Sequence, residues 1–284
     1  MAEISAADVK KLREKTGAGM MECKNALVST GGDFDKAEKQ LKEKGLAALE
    51  KRAGRATNEG KVFVKIKGSG AALVELSSET DFVARNPDFI ALGELIADKA
   101  LANGWSVPND DLNGMVSDLA TKIRENMSLK RIKLVNSSPS EYLTQYIHGD
   151  GQIGVVVKCE SDNSEIFENE EVKSFIFSLA LHIAAFNPHA LDRSKIDQSW
   201  LKEQEEIFRK QMEQDEKLKG KPENVLEGIL KGKVNKFLAD ICMMEQGYVK
   251  DEKLSVQQAI AECAKKADAK LAISEYVYYK VGGE

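Results

Sequence analysis

Asp81 and Phe82 stand side by side in Glu79-Thr80-Asp81-Phe82-Val83-Ala84-Arg85-Asn86. The segment lies between an alternating apolar run, Leu73 to Leu76, and a helical pattern that opens at Asn86-Pro87. Asparagine followed by proline reads as an N-cap with proline at the first helical position, where no amide donor is lost. Thr80 to Ala84 therefore occupy a strand-to-helix connection, and such connections lie on the surface. The chemistry open to a carboxylate and a large ring on a short loop is recognition. Residue type alone favours a ring folded back onto the local core, since most phenylalanines are largely buried. The other reading is a wedge that enters a pocket on a second protein. Periodicity does not choose between them.

Other kinds of chemistry find little to build on. There is no G-x-S-x-G serine, no H-E-x-x-H and no G-x-x-x-x-G-K-[ST] phosphate loop. Gly149-Asp150-Gly151-Gln152-Ile153-Gly154 satisfies G-x-G-x-x-G literally. A dinucleotide fingerprint needs a helix after those glycines; here Val155-Val156-Val157 continue as strand, so the motif reads as a hairpin turn. Cys23, Cys159, Cys242 and Cys263 are scattered with no C-x-x-C pair, and the histidines are His148, His182 and His189. This is the pattern of reduced packing thiols in a cytosolic protein, with no cofactor and no metal expected. A net charge of -5 argues against direct nucleic-acid binding. No apolar run reaches the ~18 residues of a membrane span, so membrane contact is not expected.

The elements that would position the loop follow from punctuation and period. Residues 1–50 read as three short helices: Ser5-Ala6-Ala7-Asp8 as a capping box with Asp for Glu, Gly17 and Gly19 as a turn, and Asp33 as the third cap, with Gly45 as the stop. Of Met20 and Met21, one is expected to pack inward and the other to be exposed, because adjacent residues cannot share a helix face. Residues 51–60 are a basic, glycine-punctuated linker. From Val62 the period becomes two: Val62, Val64 and Ile66 alternate, Gly68-Ser69-Gly70 turns, and Leu73 to Leu76 return. A helix bearing Phe89, Leu92, Leu95, Ile96 and Leu101 follows, then another from about Asn109 to Glu125, then a strand over Leu129–Val135. Strand, glycine turn, strand, helix recurs from Tyr142, which implies two α+β halves. The predicted domains are a core subdomain over 61–141, a second over 142–198 and 248–284, and an inserted antiparallel helical hairpin (coiled coil) over 199–247. The hairpin stripes are Leu201, Phe208 and Met212, then Leu226, Leu230, Phe237 and Ile241, broken at Gly220-Lys221-Pro222. Leu271 to Tyr279 should complete the second sheet.

Thr80-Asp81-Phe82-Val83-Ala84 resembles the signature loop of the elongation factor Ts family, nucleotide-exchange factors for elongation factor Tu. The second family signature is matched by Leu12-Arg13-Glu14-Lys15-Thr16-Gly17-Ala18-Gly19-Met20-Met21-Glu22-Cys23-Lys24. The likeness continues through Tyr146-Ile147-His148-Gly149 to the closing strand. It implies a ubiquitin-associated-like (UBA-like) bundle and a partner, elongation factor Tu, met in its GDP-bound and nucleotide-free forms. It also implies a mechanism: Thr80, Asp81, Phe82 and Val83, unchanged from the family, insert near the partner's magnesium and phosphate site, displace the ion and shift the phosphate loop. Leu12, Arg13, Met20, Met21 and Lys24 are implied as further partner contacts, with Ile123, Arg124, His148 and Val234. Without the resemblance, Arg13 and Lys24 would be ordinary solvated charges and His148 a turn histidine. Arg124 stands in Ile123-Arg124-Glu125-Asn126, where the family has glycine. The resemblance is compatible with a one-to-one pair and with a homodimer or two-plus-two complex. It also implies that contacts assigned in many members to a helix after the last strand are absent or made differently here. A plain scaffold or ubiquitin-like-binding module, suggested by the bundle alone, is the alternative from another class.

Overall fold

The computed structural model describes residues 4–283. The chain forms two compact units, one taking the residues through Asn136 with Ile147–Val156 and the chain from Tyr279, the other Ser137–Tyr146 with Val157–Tyr278. The class is α+β, as the alternation of periods implies.

The first unit opens with α1 (Ala6–Thr16), α2 (Met20–Ser29) and α3 (Phe34–Glu50). The Ser5 hydroxyl accepts from the Asp8 amide and Asp33 accepts from the Lys36 amide, while left-handed Gly17 closes α1. Val9, Leu12, Cys23, Ala26, Leu27, Ala37 and Leu41 form the bundle core. Gly45 does not stop α3, which runs through it to Glu50. A Cβ on Gly45 would come within 2.1 Å of Thr121 Cγ2. The glycine admits the close helix approach, at a cost of ~1 kcal/mol to the helix interior.

Next come β1 (Glu59–Lys67), β2 (Gly70–Ser78), the single turn α4 (Asp81–Ala84), α5 (Pro87–Asn103), α6 (Asp110–Ile123) and β3 (Met127–Asn136). The antiparallel sheet has the order β1-β2-β3, with Phe63 opposite Val74 and Val74 opposite Ile132. One face packs on α5 and α6 through Phe63, Val74, Leu76, Phe89, Ile96, Leu112, Val116 and Ile132. Asn86 caps α5 by accepting from the Asp88 amide, with Pro87 in the first turn as expected. The alternation predicted for β1 gives way to burial of every residue from Lys61 to Val64. The reason lies on the other face, where a Cβ on Gly154 would lie 2.4 Å from Val62 Cγ1; β1 is covered on both sides.

The rest of the chain gives β4 (Glu141–His148), β5 (Ile153–Glu160), α7 (Glu170–Phe186), α8 (Gln198–Gln214), α9 (Glu223–Ile241), β6 (Gly247–Tyr248), β7 (Asp251–Ser255), α10 (Val256–Lys266) and β8 (Ala272–Lys280). The second sheet has the order β4-β5-β8. Gly149, Asp150 and Gly151 take positive φ between β4 and β5, so the G-x-G-x-x-G segment is a hairpin turn. The strand-turn-strand-helix sequence thus occurs twice. The third strand follows α6 in the first half, and in the second it arrives only after α8, α9 and α10. The α8 and α9 helices share a core of Met212, Leu230, Val234 and Leu238 with Trp200, Leu201, Phe208 and Leu226 packed against it.

Candidate functional site

The Thr80–Ala84 turn is held from both ends and bare at its middle. Thr80 is the N-cap of α4: its hydroxyl accepts from the Val83 amide at 3.3 Å and donates to Glu125 at 3.0 Å. The Ser78 hydroxyl donates to the Thr80 carbonyl at 2.9 Å. Glu79 accepts from the Asn126 amide at 2.6 Å and from Arg55 at 3.2 Å. The Asn126 amide, then the Arg55 guanidinium, hold the Glu79 carboxyl below the ordinary carboxylate range. Val83 and Ala84 are buried in the core beneath α5. Asp81 pairs with Arg85 one turn on, at 3.2 Å. Phe82 points outward, 82% exposed. The ring does not fold back on its own core, which residue type alone favoured. The period of so short a helix explains this: Val83 and Ala84 fill the inward side and Phe82 falls opposite them.

Residues 124–126 support this turn from α6. Arg124 caps α6 in the left-handed conformation, φ 70°, the conformation that explains a glycine there in the family. A non-glycine residue in it costs about 1–2 kcal/mol. The guanidinium ion-pairs with Glu22, so Arg124 is engaged within its own chain. Ile123 is half-buried against the core of the first sheet. The Glu22 carboxylate also accepts from the Gly19 amide at 3.0 Å and from Lys44 at 3.2 Å. The Gly19 amide, Arg124 and Lys44, in that order, hold its pKa down to about 2.

On the bundle, Arg13 and Lys24 are exposed, and so are Met20 (44%) and Met21 (65%). The expectation that one methionine packs inward is corrected. Met20 lies on the stripe of Cys23 and Leu27, but one turn too early to reach the core they fill. Leu12, which the resemblance nominates as a contact, is wholly buried in the bundle core with Val9 and lies beneath that surface. Val28, which sequence reasoning missed, is 56% exposed and continues the Met21, Lys24 line at i+7. His148 is exposed at the end of β4. Val234, also nominated by the resemblance, is only 9% exposed and packs in the α8–α9 core.

Glu22, Glu79, Glu125, Asn126 and Arg55, which fix these surfaces, were not legible as a set. Each is an ordinary polar residue whose partner lies 24 to 102 positions away, and periodicity carries no such information. Among the described residues no cluster of three or more His, Cys, Asp or Glu side chains could hold a metal. No helix there is long and apolar enough to cross a membrane. The four cysteines are unpaired, with Cys23, Cys159 and Cys242 buried, and burial pushes the Cys159 and Cys263 thiols up.

Fold and site together are those of an α+β protein whose candidate site is a projecting ring on a braced turn, flanked by a bundle with exposed thioethers. Comparison with known proteins places it more narrowly. A family model described as Elongation factor TS matches residues 79–283. The chain is 49% identical over 280 residues to an elongation factor Ts of Treponema denticola, covering 99% of both chains. It is 43% identical over 291 residues to that of Treponema pallidum strain Nichols, again 99% of each, and 41% identical over 280 residues to that of Borrelia recurrentis, 98% of this chain and 99% of the relative. The chain belongs to the elongation factor Ts family and so to the translation elongation factors.

Proposed function

We propose that this chain is a guanine-nucleotide exchange factor that binds elongation factor Tu with GDP, displaces the magnesium ion and the nucleotide, and leaves the site open to GTP. The observation that carries the reading is Phe82, 82% exposed at the centre of a turn whose neighbours are all anchored. A large ring bare to water on a rigid support is poised for burial in a partner, and burying it contributes about 1.5–3 kcal/mol. Asp81, half-exposed beside it, brings negative charge toward the phosphates and would compete for the groups that hold them. A factor that binds the nucleotide-free partner better must weaken GDP by the same factor, because coupling is reciprocal. The chain itself makes and breaks no covalent bond in this scheme and needs no cofactor. It acts in the cytoplasm, without contact to nucleic acid.

Met20, Met21, Val28, Arg13 and Lys24 would supply a second contact area, in which flexible thioethers adapt to the partner. The direct test follows release of a fluorescent GDP from elongation factor Tu in the presence of magnesium. Phe82→Ala should lower the stimulated rate ~10–100-fold, within the ~5–150-fold span of a coupling of about 1–3 kcal/mol. Unchanged stimulation by Phe82→Ala and by Asp81→Ala would remove the loop from the mechanism.

A further inference from the structure

We propose that Arg124 is a positioning residue for exchange: its ion pair with Glu22 fixes the methionine face of the bundle at a set distance from Phe82, so that both meet the partner at once. The inference rests on the exchange reading above.

Glu22 follows Met20 and Met21 directly, and through its bond to the Gly19 amide it shapes the turn from which both methionines project. Arg124 precedes Glu125 and Asn126, which hold Thr80 and Glu79 on either side of the Phe82 turn. The segment 124–126 therefore grips α2 through one side chain and the turn through the next residues. Its backbone has little room to shift. The Arg124 amide donates to the Ala120 carbonyl at 2.8 Å, and a Cβ on Gly17 would lie 2.9 Å from the Lys122 carbonyl oxygen. Gly45 closes on Thr121 in the same region. The two glycines bring the bundle onto the last turn of α6, and the Arg124 pair, with Lys44 on the same carboxylate, fixes its rotation there. An arginine kept in a left-handed conformation that suits glycine needs a compensating role, and this pair supplies one. When two surfaces of one molecule bind one partner, the second contact gains from an effective concentration set by how firmly they are linked. Rigid linkage of the surfaces before binding removes an ordering cost.

The test is a double-mutant cycle on the full chain, read as stimulated release of fluorescent GDP from elongation factor Tu over a range of factor concentrations. Arg124→Gly should raise the half-saturating concentration ~10-fold while the rate at saturation stays within about 2-fold, because the Phe82 turn is intact. In a Met20→Ala/Met21→Ala background the same substitution should change it less than ~2-fold, since there is no face left to position. Arg124→Lys, which can still reach Glu22, should recover much of the loss. Thermal unfolding of Arg124→Gly should change little or shift upward, because glycine suits the left-handed position, and this separates positioning from loss of fold. An equal effect in both backgrounds would make Arg124 a direct partner contact, and no effect in either would make the pair idle; either result overturns the proposal. Loss of exchange reading as a whole would show separately, as Phe82→Ala stimulating like the natural chain.

Discussion

Phe82 is 82% exposed on a helix of four residues, whereas Val234 is 9% exposed on one of nineteen. Both are apolar residues that the family resemblance nominates as partner contacts, and they are held in opposite ways. The turn spends its hydrogen bonds on fixing the backbone from Ser78 to Arg85 and leaves its largest side chain bare. The α8–α9 hairpin turns its apolar residues on one another: Trp200 and Phe208 meet Phe237 with ring centroids 5.8 and 5.4 Å apart, and His189 stacks on Trp200 at 4.4 Å. On the proposed reading, Phe82 would act by touching the partner. In the hairpin, an apolar residue keeps two charged helices together.

The largest expected separation comes from Phe82→Ala, which should lower GDP release ~10–100-fold while leaving stability within about 0.5 kcal/mol, as for other exposed substitutions. Leu230→Ala should do the reverse. Loss of a buried leucine costs about 2 kcal/mol or more, visible as lower helical circular dichroism on heating, while the exchange rate at saturating concentration is preserved. If Leu230→Ala abolished the rate at saturation with the fold intact, the hairpin would be part of the exchange machinery.

Thr80→Ala tests the bracing of the turn and should show a smaller effect. It removes the N-cap of α4 and the bond to Glu125, worth about 1 kcal/mol, and exchange should fall ~5-fold as the ring loses its fixed aim. Thr80→Ser keeps the hydroxyl and should behave as the natural chain. The smallest effect is one of pH. Glu22 has its folded pKa lowered to about 2, so its contribution to stability is present above the ordinary carboxylate range and is lost as pH falls toward 2. Glu22→Gln should therefore be destabilising at pH 7, with the difference from the natural chain shrinking below about pH 4.5. A difference that stayed constant down to pH 2 would mean that the Glu22 charge does not matter.

Local signals in the sequence carried most of the elements. Asn86-Pro87, Asp33, the Ser5 cap and the switch from period 3.6 to period 2 at Val62 each act within a few residues, and chain chemistry sets them. Gly45 was misread because a glycine that ends a helix and one that admits a neighbouring helix are identical in sequence. Val62 and Phe63 are buried together because β1 is covered on both faces, which no one-strand pattern reveals. At the site, the motif marked Thr80–Val83, but whether Phe82 is bare depends on which side of a single turn faces the core. The apolar stripe of Val9 and Leu12 did mark Leu12 as inward, whereas nothing local showed that Val234 joins the hairpin core or that Arg124 reaches Glu22 across 102 positions.

On the proposed reading, Phe82 makes the chain prefer a partner emptied of nucleotide. The decisive measurement is affinity for elongation factor Tu with and without magnesium and GDP, for the natural chain and for Phe82→Ala. The natural chain should strongly prefer the nucleotide-free form, with the ratio reduced ~10-fold or more in the variant. An unchanged ratio, with both affinities lowered alike, would contradict it.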